Sequence, residues 1–252
     1  MTSAGFPPEP HEPPRDLLAG RVILVTGAGQ GLGRAVALAC AAHGATVALL
    51  GRRVEKLEAT YDAIAAAGGP EPAIAPLDLA AAGTPEYDAL AALLRRDLGG
   101  LAGIAHCASH FVPLGPLANQ TLEQWLELLR VNLAAPFALT RACLPLLSAA
   151  PDSSVVFTGE THGAHPRAYW GGFAVGKAAL SALAAIWADE LEHAGKPRVN
   201  VLVPGPIDSP QRARSHPGED RSKLRGPGEA ARAFLYLLGP ASRGTSGSTL
   251  EL

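Results

Sequence analysis

The stretch with the most definite chemistry runs from Arg21 to Gly33 and reads RVILVTGAGQGLG. An apolar run of strand character leads into a cluster of Gly27, Gly29, Gly31 and Gly33, and a helical pattern begins near Leu32. Gly27, Gly31 and Gly33 are spaced G-x-x-x-G-x-G, with Gly29 extra and Gln30 between them. Leu32 stands where the more common G-x-G-x-x-G would place its last glycine. Glycines permit a tight turn and close backbone approach, and the N-terminus of the helix that follows attracts a pyrophosphate. Spacing alone would also describe an ordinary glycine-rich turn. The strand before it and the helix after it turn the motif into a dinucleotide cradle.

At the end of the next strand candidate the chain reads Leu50-Gly51-Arg52-Arg53. A site selective for NAD places a carboxylate there for the ribose 2′-hydroxyl. Gly51 holds that position and Arg52 and Arg53 follow it. The planar fork of a guanidinium suits a 2′-phosphate. NADP(H) is therefore the expected cofactor, with NAD(H) as the alternative; a solvated arginine pair at a helix start is the competing reading.

The elements that must hold these groups alternate along the chain. Strand candidates are Arg21–Val25, Thr46–Leu50, Ala73–Leu77, Gly103–Cys107, Ser154–Thr158, Arg198–Val203 and Ser248–Glu251. Helical patterns begin near Leu32, Val54, Pro85, Thr121, Trp170 and Gly228. Alternation of this kind predicts βαβ units, hence one doubly wound, Rossmann-type α/β domain with a seven-stranded parallel sheet flanked by helices. Ligands of such sheets sit at the carboxyl ends of the strands. The 252 residues are 48% hydrophobic and 17% charged, enough for one sizeable core over residues 18–252. A net charge of −2 offers no nucleic-acid surface, and no stretch reads as a membrane span or a signal peptide. Met1–Arg15 carries five prolines, so residues 1–17 read as a disordered tail. Cys40, Cys107 and Cys143 are too few and too apolar in context for a disulfide framework and read as core residues of a cytoplasmic protein. The patterns Thr121–Leu147 and Trp170–Ala194 stand out, the second apolar nearly all round, which predicts a partner subunit and a homodimer or homotetramer.

Taken together, TGAGQGLG, LLGRRVEKL, Leu77-Asp78-Leu79, Val131-Asn132-Leu133, VVFTG, Lys177, Arg198-Val199-Asn200 and Pro204-Gly205 resemble the short-chain dehydrogenase/reductase family, most nearly its bacterial YciK-type branch. The resemblance implies that Asp78 and Leu79 hold the adenine, with Ala108 beside the cofactor. By the same resemblance, Asn132 holds an active-site water and Lys177 binds the nicotinamide ribose. Pro204, Gly205, Ile207 and Ser209 would shape the carboxamide pocket, and residues 206–228 would form a substrate lid.

The departures bear on the chemistry. The family uses Tyr-x-x-x-Lys, in which the tyrosine transfers a proton and the lysine lowers its pKa. Here Phe173 stands four residues before Lys177, and Glu160 replaces the serine that orients the carbonyl. The family's Asn-Asn-Ala-Gly has become His106-Cys107-Ala108-Ser109. Two replacements for the lost acid suggest themselves: Tyr169, one turn before Phe173 if the helix already starts there, and Glu160, if an apolar site raises its pKa. Glu160 could instead be a structural ion-pair partner of Lys177 or Arg167. His106 and His110 read as polar lining, and Glu160, His162 and His165 are too few for a metal site. The lid carries Arg212, Arg214, Arg221, Lys223 and Arg225, an excess of cations that permits an anionic substrate but equally describes a solvated loop. Two functions follow: an NADP(H)-dependent oxidoreductase acting on a small-molecule carbonyl/alcohol pair through an atypical proton-transfer site, or a non-catalytic NADP(H)-binding sensor or scaffold.

Overall fold

The computed structural model describes residues 4–5 and 13–252. Its strands are β1 (Ala4–Gly5), β2 (Val22–Thr26), β3 (Thr46–Gly51), β4 (Ala73–Pro76), β5 (Gly103–His106), β6 (Ser154–Thr158), β7 (Arg198–Val203) and β8 (Thr249–Glu251). The seven expected strands are β2 to β8, and every pairing is parallel. The order is β1-β8-β7-β6-β5-β2-β3-β4. The chain thus winds outward from β2 in one direction, then returns to β5 on its other side. That reversal opens a crevice between the ends of β2 and β5, where such sheets bind ligands.

Two helical layers cover the sheet. On one face lie α1 (Gly31–Ala42), α2 (Val54–Ala66) and α9 (Pro227–Leu238), whose Val36, Leu57, Ile64, Phe234 and Leu238 share a core with Ile23, Val25, Val47 and Leu49. On the other lie α3 (Thr84–Leu98), α5 (Ala135–Ala149) and α7 (Gly171–Glu190), which bury Leu94, Leu139, Leu180 and Trp187 against Leu24, Ile104 and Val155. Alternate strand side chains feed each layer, which is why these strands are apolar throughout.

Local signals set the helix ends. Glu86 accepts from the backbone N–H of Gly83 at the start of α3, Pro85 occupies its first turn, and Gly99 ends it at φ 76°. Thr121 and Gln124 form a capping box before α4 (Leu122–Leu129). The expected helix Thr121–Leu147 is interrupted: between α4 and α5 lies a five-residue π-turn, Arg130–Ala134. Such widened turns recur at functional sites, and this one carries Asn132. Two short helices were not among those expected, α6 (Thr161–Ala164) and α8 (Pro210–Ser215).

Most of the tail expected over 1–17 lies outside the described residues. Within them, Ala4–Gly5 pairs with Leu250–Glu251, Leu17 packs on the core and Leu18 is fully buried, so packing extends beyond the expected boundary at residue 18. Leu122–Ala149 and α7 are each long and apolar enough to cross a membrane, yet about half of each apolar stretch is buried inside the protein. Their hydropathy is that of helices covering a sheet.

Candidate active site and dinucleotide cleft

The carboxyl ends of β2, β3, β5 and β6 open into a cleft of about 280 Å³. Its floor is the glycine loop. Gly27 has φ +68°, and a Cβ there would meet the Ala108 backbone at 2.9 Å. A Cβ on Gly33 would overlap the Gly27 carbonyl. Neither position accepts a side chain, and the loop leads directly into α1 at Gly31, whose first N–H groups suit a phosphate. Thr26 Oγ1 accepts from the Ala108 N–H at 2.9 Å, tying the loops after β2 and β5 together. Gly29, Gln30, Gly31 and Leu32 complete this floor.

Gly51, Arg52 and Arg53 follow along one wall, with Asp78 and Leu79 beyond them. Asp78 Oδ1 accepts from the Ala80 N–H at 3.0 Å, which fixes the turn after β4. Lys56, not among the expected site residues, lines the same wall. Opposite lie Pro204, Gly205, Ile207 and Ser209; Ser209 caps α8 by accepting from the Arg212 N–H at 3.1 Å.

Lys177, Glu160 and Phe173 meet at the inner end. Lys177 is buried and donates from Nζ to the Thr158 carbonyl at 2.8 Å. Burial pushes its pKa down to about 8, against the opposing pull of Glu160. The Glu160 carboxyl is raised from its ordinary value by burial, although Lys177, His162 and Arg212 partly offset that. Among the described residues no cation lies within ion-pair distance of Glu160, so the expected pairing with Lys177 or Arg167 is absent. Phe173, with only 1% of its surface exposed, packs edge-on against Phe111 at 5.3 Å and beside Trp170 at 6.0 Å. The Lys177 ammonium sits 5.9 Å from the Phe173 ring centre. The place of a proton donor is thus taken by part of an aromatic cluster.

Two expected residues behave differently. Tyr169 does not stand a turn before Phe173 on the same side, because α7 starts only at Gly171. Tyr169 has φ +76°, is 60% exposed and lies outside the cleft lining. It is not a replacement acid. Asn132 is fully buried: its Nδ2 donates to the Leu128 and His110 carbonyls, and its Oδ1 accepts from the His110 N–H at 3.1 Å, with Ser109 Oγ 3.3 Å away. This amide fixes the loop after β5; Ser109 Oγ also lies 3.1 Å from Gln211 Oε1, and its single proton serves one of the two acceptors.

His106 is structural. It is buried on Phe157 with Nε2 3.0 Å from Thr140 Oγ1, and burial and Lys177 push its pKa down to about 3, so it stays neutral. Among the described residues no cluster of metal-ligating side chains occurs. Of the lid's cations, Arg212 is held bidentately by Glu219, Arg221 by Asp208, Lys223 by Asp220 and Arg225 by Glu229. Arg214 donates to the Phe111 carbonyl and lies over the Phe111 ring. Four of the five lid cations are thus paired with carboxylates, three of them from within the lid, and Arg214 is the one without such a partner among the described residues.

Residues 21–220 match the family model described as short chain dehydrogenase, and the chain belongs to that family of oxidoreductases. It is similar to the uncharacterised oxidoreductase YciK of Escherichia coli K12, 36% identical over 96% of this chain and 95% of that protein. Among solved structures it superposes on a short chain dehydrogenase from Pseudomonas syringae with a TM-score of 0.93, at 41% identity over 98% and 99% of the two chains. It also superposes on one from Escherichia coli CFT073 complexed with NADPH, with a TM-score of 0.91, at 37% identity over 95% and 99%.

Proposed function

We propose that the protein is an NADP(H)-dependent oxidoreductase interconverting a carbonyl and an alcohol on a small molecule, with Glu160 in the role of the family's tyrosine. The observation that carries this reading is a buried, charge-coupled Lys177 and Glu160 at the inner end of a glycine-floored cleft, beside a Phe173 that has no proton to give. The cradle fits a dinucleotide because Gly27 and Gly33 let the loop pack tightly on the Ala108 backbone and on its own carbonyls ahead of α1, and Arg52, Arg53 and Lys56 supply cations on the wall where an adenosine 2′-phosphate would lie. NADPH when bound supplies a hydride. Lys177 orients the nicotinamide ribose from its anchor on the Thr158 carbonyl. Glu160, whose carboxyl burial holds above its ordinary value, donates a proton from its neutral form to the substrate oxygen and takes one back in the reverse direction. Phe111, Trp170 and Phe173 keep water from that oxygen.

The expected result is NADPH consumption, followed by absorbance, with at least one member of a broad aldehyde and ketone panel. A protein that binds NADPH but turns over none of the panel would instead be a non-catalytic NADP(H)-binding sensor or scaffold, the reading favoured by the aromatic packing around Phe173.

The reading includes a symmetric assembly in the cytoplasm, where the three free cysteines stay reduced. The outward side of α7 carries Val175 and Ile186, and the neighbouring α4 and α5 carry Leu122, Leu126 and Phe137, all large apolar side chains left exposed. Such a stripe calls for a cover, and a second copy supplies one through a two-fold axis. Light scattering at micromolar concentration should give the mass of two or four chains, and Ile186→Glu should lower it. A monomeric mass for the unmutated protein rejects the assembly.

A further inference from the structure

One glycine of the loop, Gly29, is not required by the G-x-x-x-G-x-G spacing. A Cβ on Gly29 would fall 2.8 Å from Lys56 Cβ and 3.3 Å from the Lys56 carbonyl carbon, so the missing side chain is what lets α2 seat directly on the loop. The seat is bolted: fully buried Thr60, one turn beyond Lys56, donates to the Ala28 carbonyl at 3.0 Å. Lys56 Nζ then donates to Gln30 Oε1 at 2.7 Å, and Arg53 NH2 donates to the same oxygen at 2.8 Å. Two cations from α2 and its N-cap converge on one neutral amide oxygen. Among the described residues no carboxylate accepts from either. Arg52, also on the cleft wall, has no side-chain partner among the described residues. Cations gathered on so weak an acceptor are placed for an anion, which binds them roughly twice as strongly as a neutral oxygen does.

We propose that Lys56 is a specificity-determining residue for ligands bearing an adenosine 2′-phosphate, and that Gln30 is the internal stand-in whose amide oxygen holds Lys56 and Arg53 until the phosphate displaces it. This rests on the NADP(H) reading above and adds to it an exchange: the phosphate gains Lys56 and Arg53, and Gln30 swings to solvent. The ligand class extends to fragments without a nicotinamide, such as 2′-AMP.

Dissociation constants for NADPH, NADH and 2′-AMP, measured by calorimetry on the unmutated protein, Lys56→Met and Gln30→Ala, test it. Lys56→Met keeps the aliphatic stem on Gly29. It should weaken NADPH and 2′-AMP by roughly 10–100-fold, the range of a lost charge-assisted hydrogen bond, and leave NADH unchanged. Gln30→Ala should tighten NADPH by about two- to tenfold, as loss of a competing neutral hydrogen bond implies. If the unmutated protein fails to prefer NADPH, the cofactor reading falls and takes this one with it. If it prefers NADPH and Lys56→Met keeps the whole preference, or weakens NADH equally, the role of Lys56 alone is overturned. A Gln30→Ala variant that binds NADPH more weakly overturns the stand-in.

Discussion

Phe173→Tyr combined with Glu160→Ser is expected to restore NADPH-dependent carbonyl reduction to roughly 10²–10⁴-fold above that of Glu160→Ser alone, the contribution of a well-placed general acid. The position is ready for a phenol. Phe173 lines the cleft, and the Lys177 ammonium already lies 5.9 Å from its ring centre, where its charge would lower the pKa of a new hydroxyl. Phe173→Tyr alone should gain less, because an ionised Glu160 beside the phenol opposes its ionisation and competes for Lys177. Glu160→Ser alone should be the slowest of the set, since it removes a titratable acid and supplies none. The measurement is NADPH oxidation by all four proteins across the same carbonyl panel. A double variant slower than the unmutated protein would mean that Glu160 is itself the better-placed acid and that the aromatic cluster around Phe173 is part of a working site.

The cradle was legible because its physics is local: Gly27, Gly31 and Gly33 must be glycine for backbone reasons, and those reasons appear as spacing along a few consecutive residues. The strand and helix order was legible for the same reason, since apolar runs and capping boxes such as Thr121–Gln124 are short-range. What escaped depends on distant segments meeting. Lys56 joins Gln30 only because α2 lies across the loop, so its role has no local signature. Tyr169 looked like a helical neighbour of Phe173 until the left-handed turn at Tyr169 and the start of α7 at Gly171 turned it outward. Asn132 was placed correctly in the chain, yet the π-turn that buries it cannot be read from Val131-Asn132-Leu133, and its four bonds go to partners distributed over two segments. The lid's arginines looked like free charge because their acids, such as Glu219 for Arg212, are paired by a fold of the lid that composition does not encode.

Glu160→Gln carries the other large effect. The amide preserves the shape and the acceptor oxygen of Glu160 while removing its proton, so reduction should fall by roughly 10²–10⁴-fold with NADPH affinity little altered. The pH profile separates this from simple damage. Burial raises the Glu160 carboxyl above its ordinary value of 4.5, and proton donation requires the neutral form. Reduction by the unmutated protein should therefore be fastest at low pH and decline as pH rises through that raised value; alcohol oxidation, which needs the carboxylate, should rise through it. Lys177 has been pushed down to about 8, so a second decline belongs near that pH, where the ammonium that orients the ribose is lost. In Glu160→Gln the first decline should vanish from the residual activity, while the Lys177 decline persists and moves below pH 8, because the carboxylate that held the ammonium up is gone. In Lys177→Met the opposite should occur: removing the cation takes away the largest influence opposing the burial of Glu160, so the first decline moves to still higher pH and the second disappears. If the lower decline survives in Glu160→Gln, the proton comes from another group, and Glu160 is left as a buried carboxyl that only tunes Lys177.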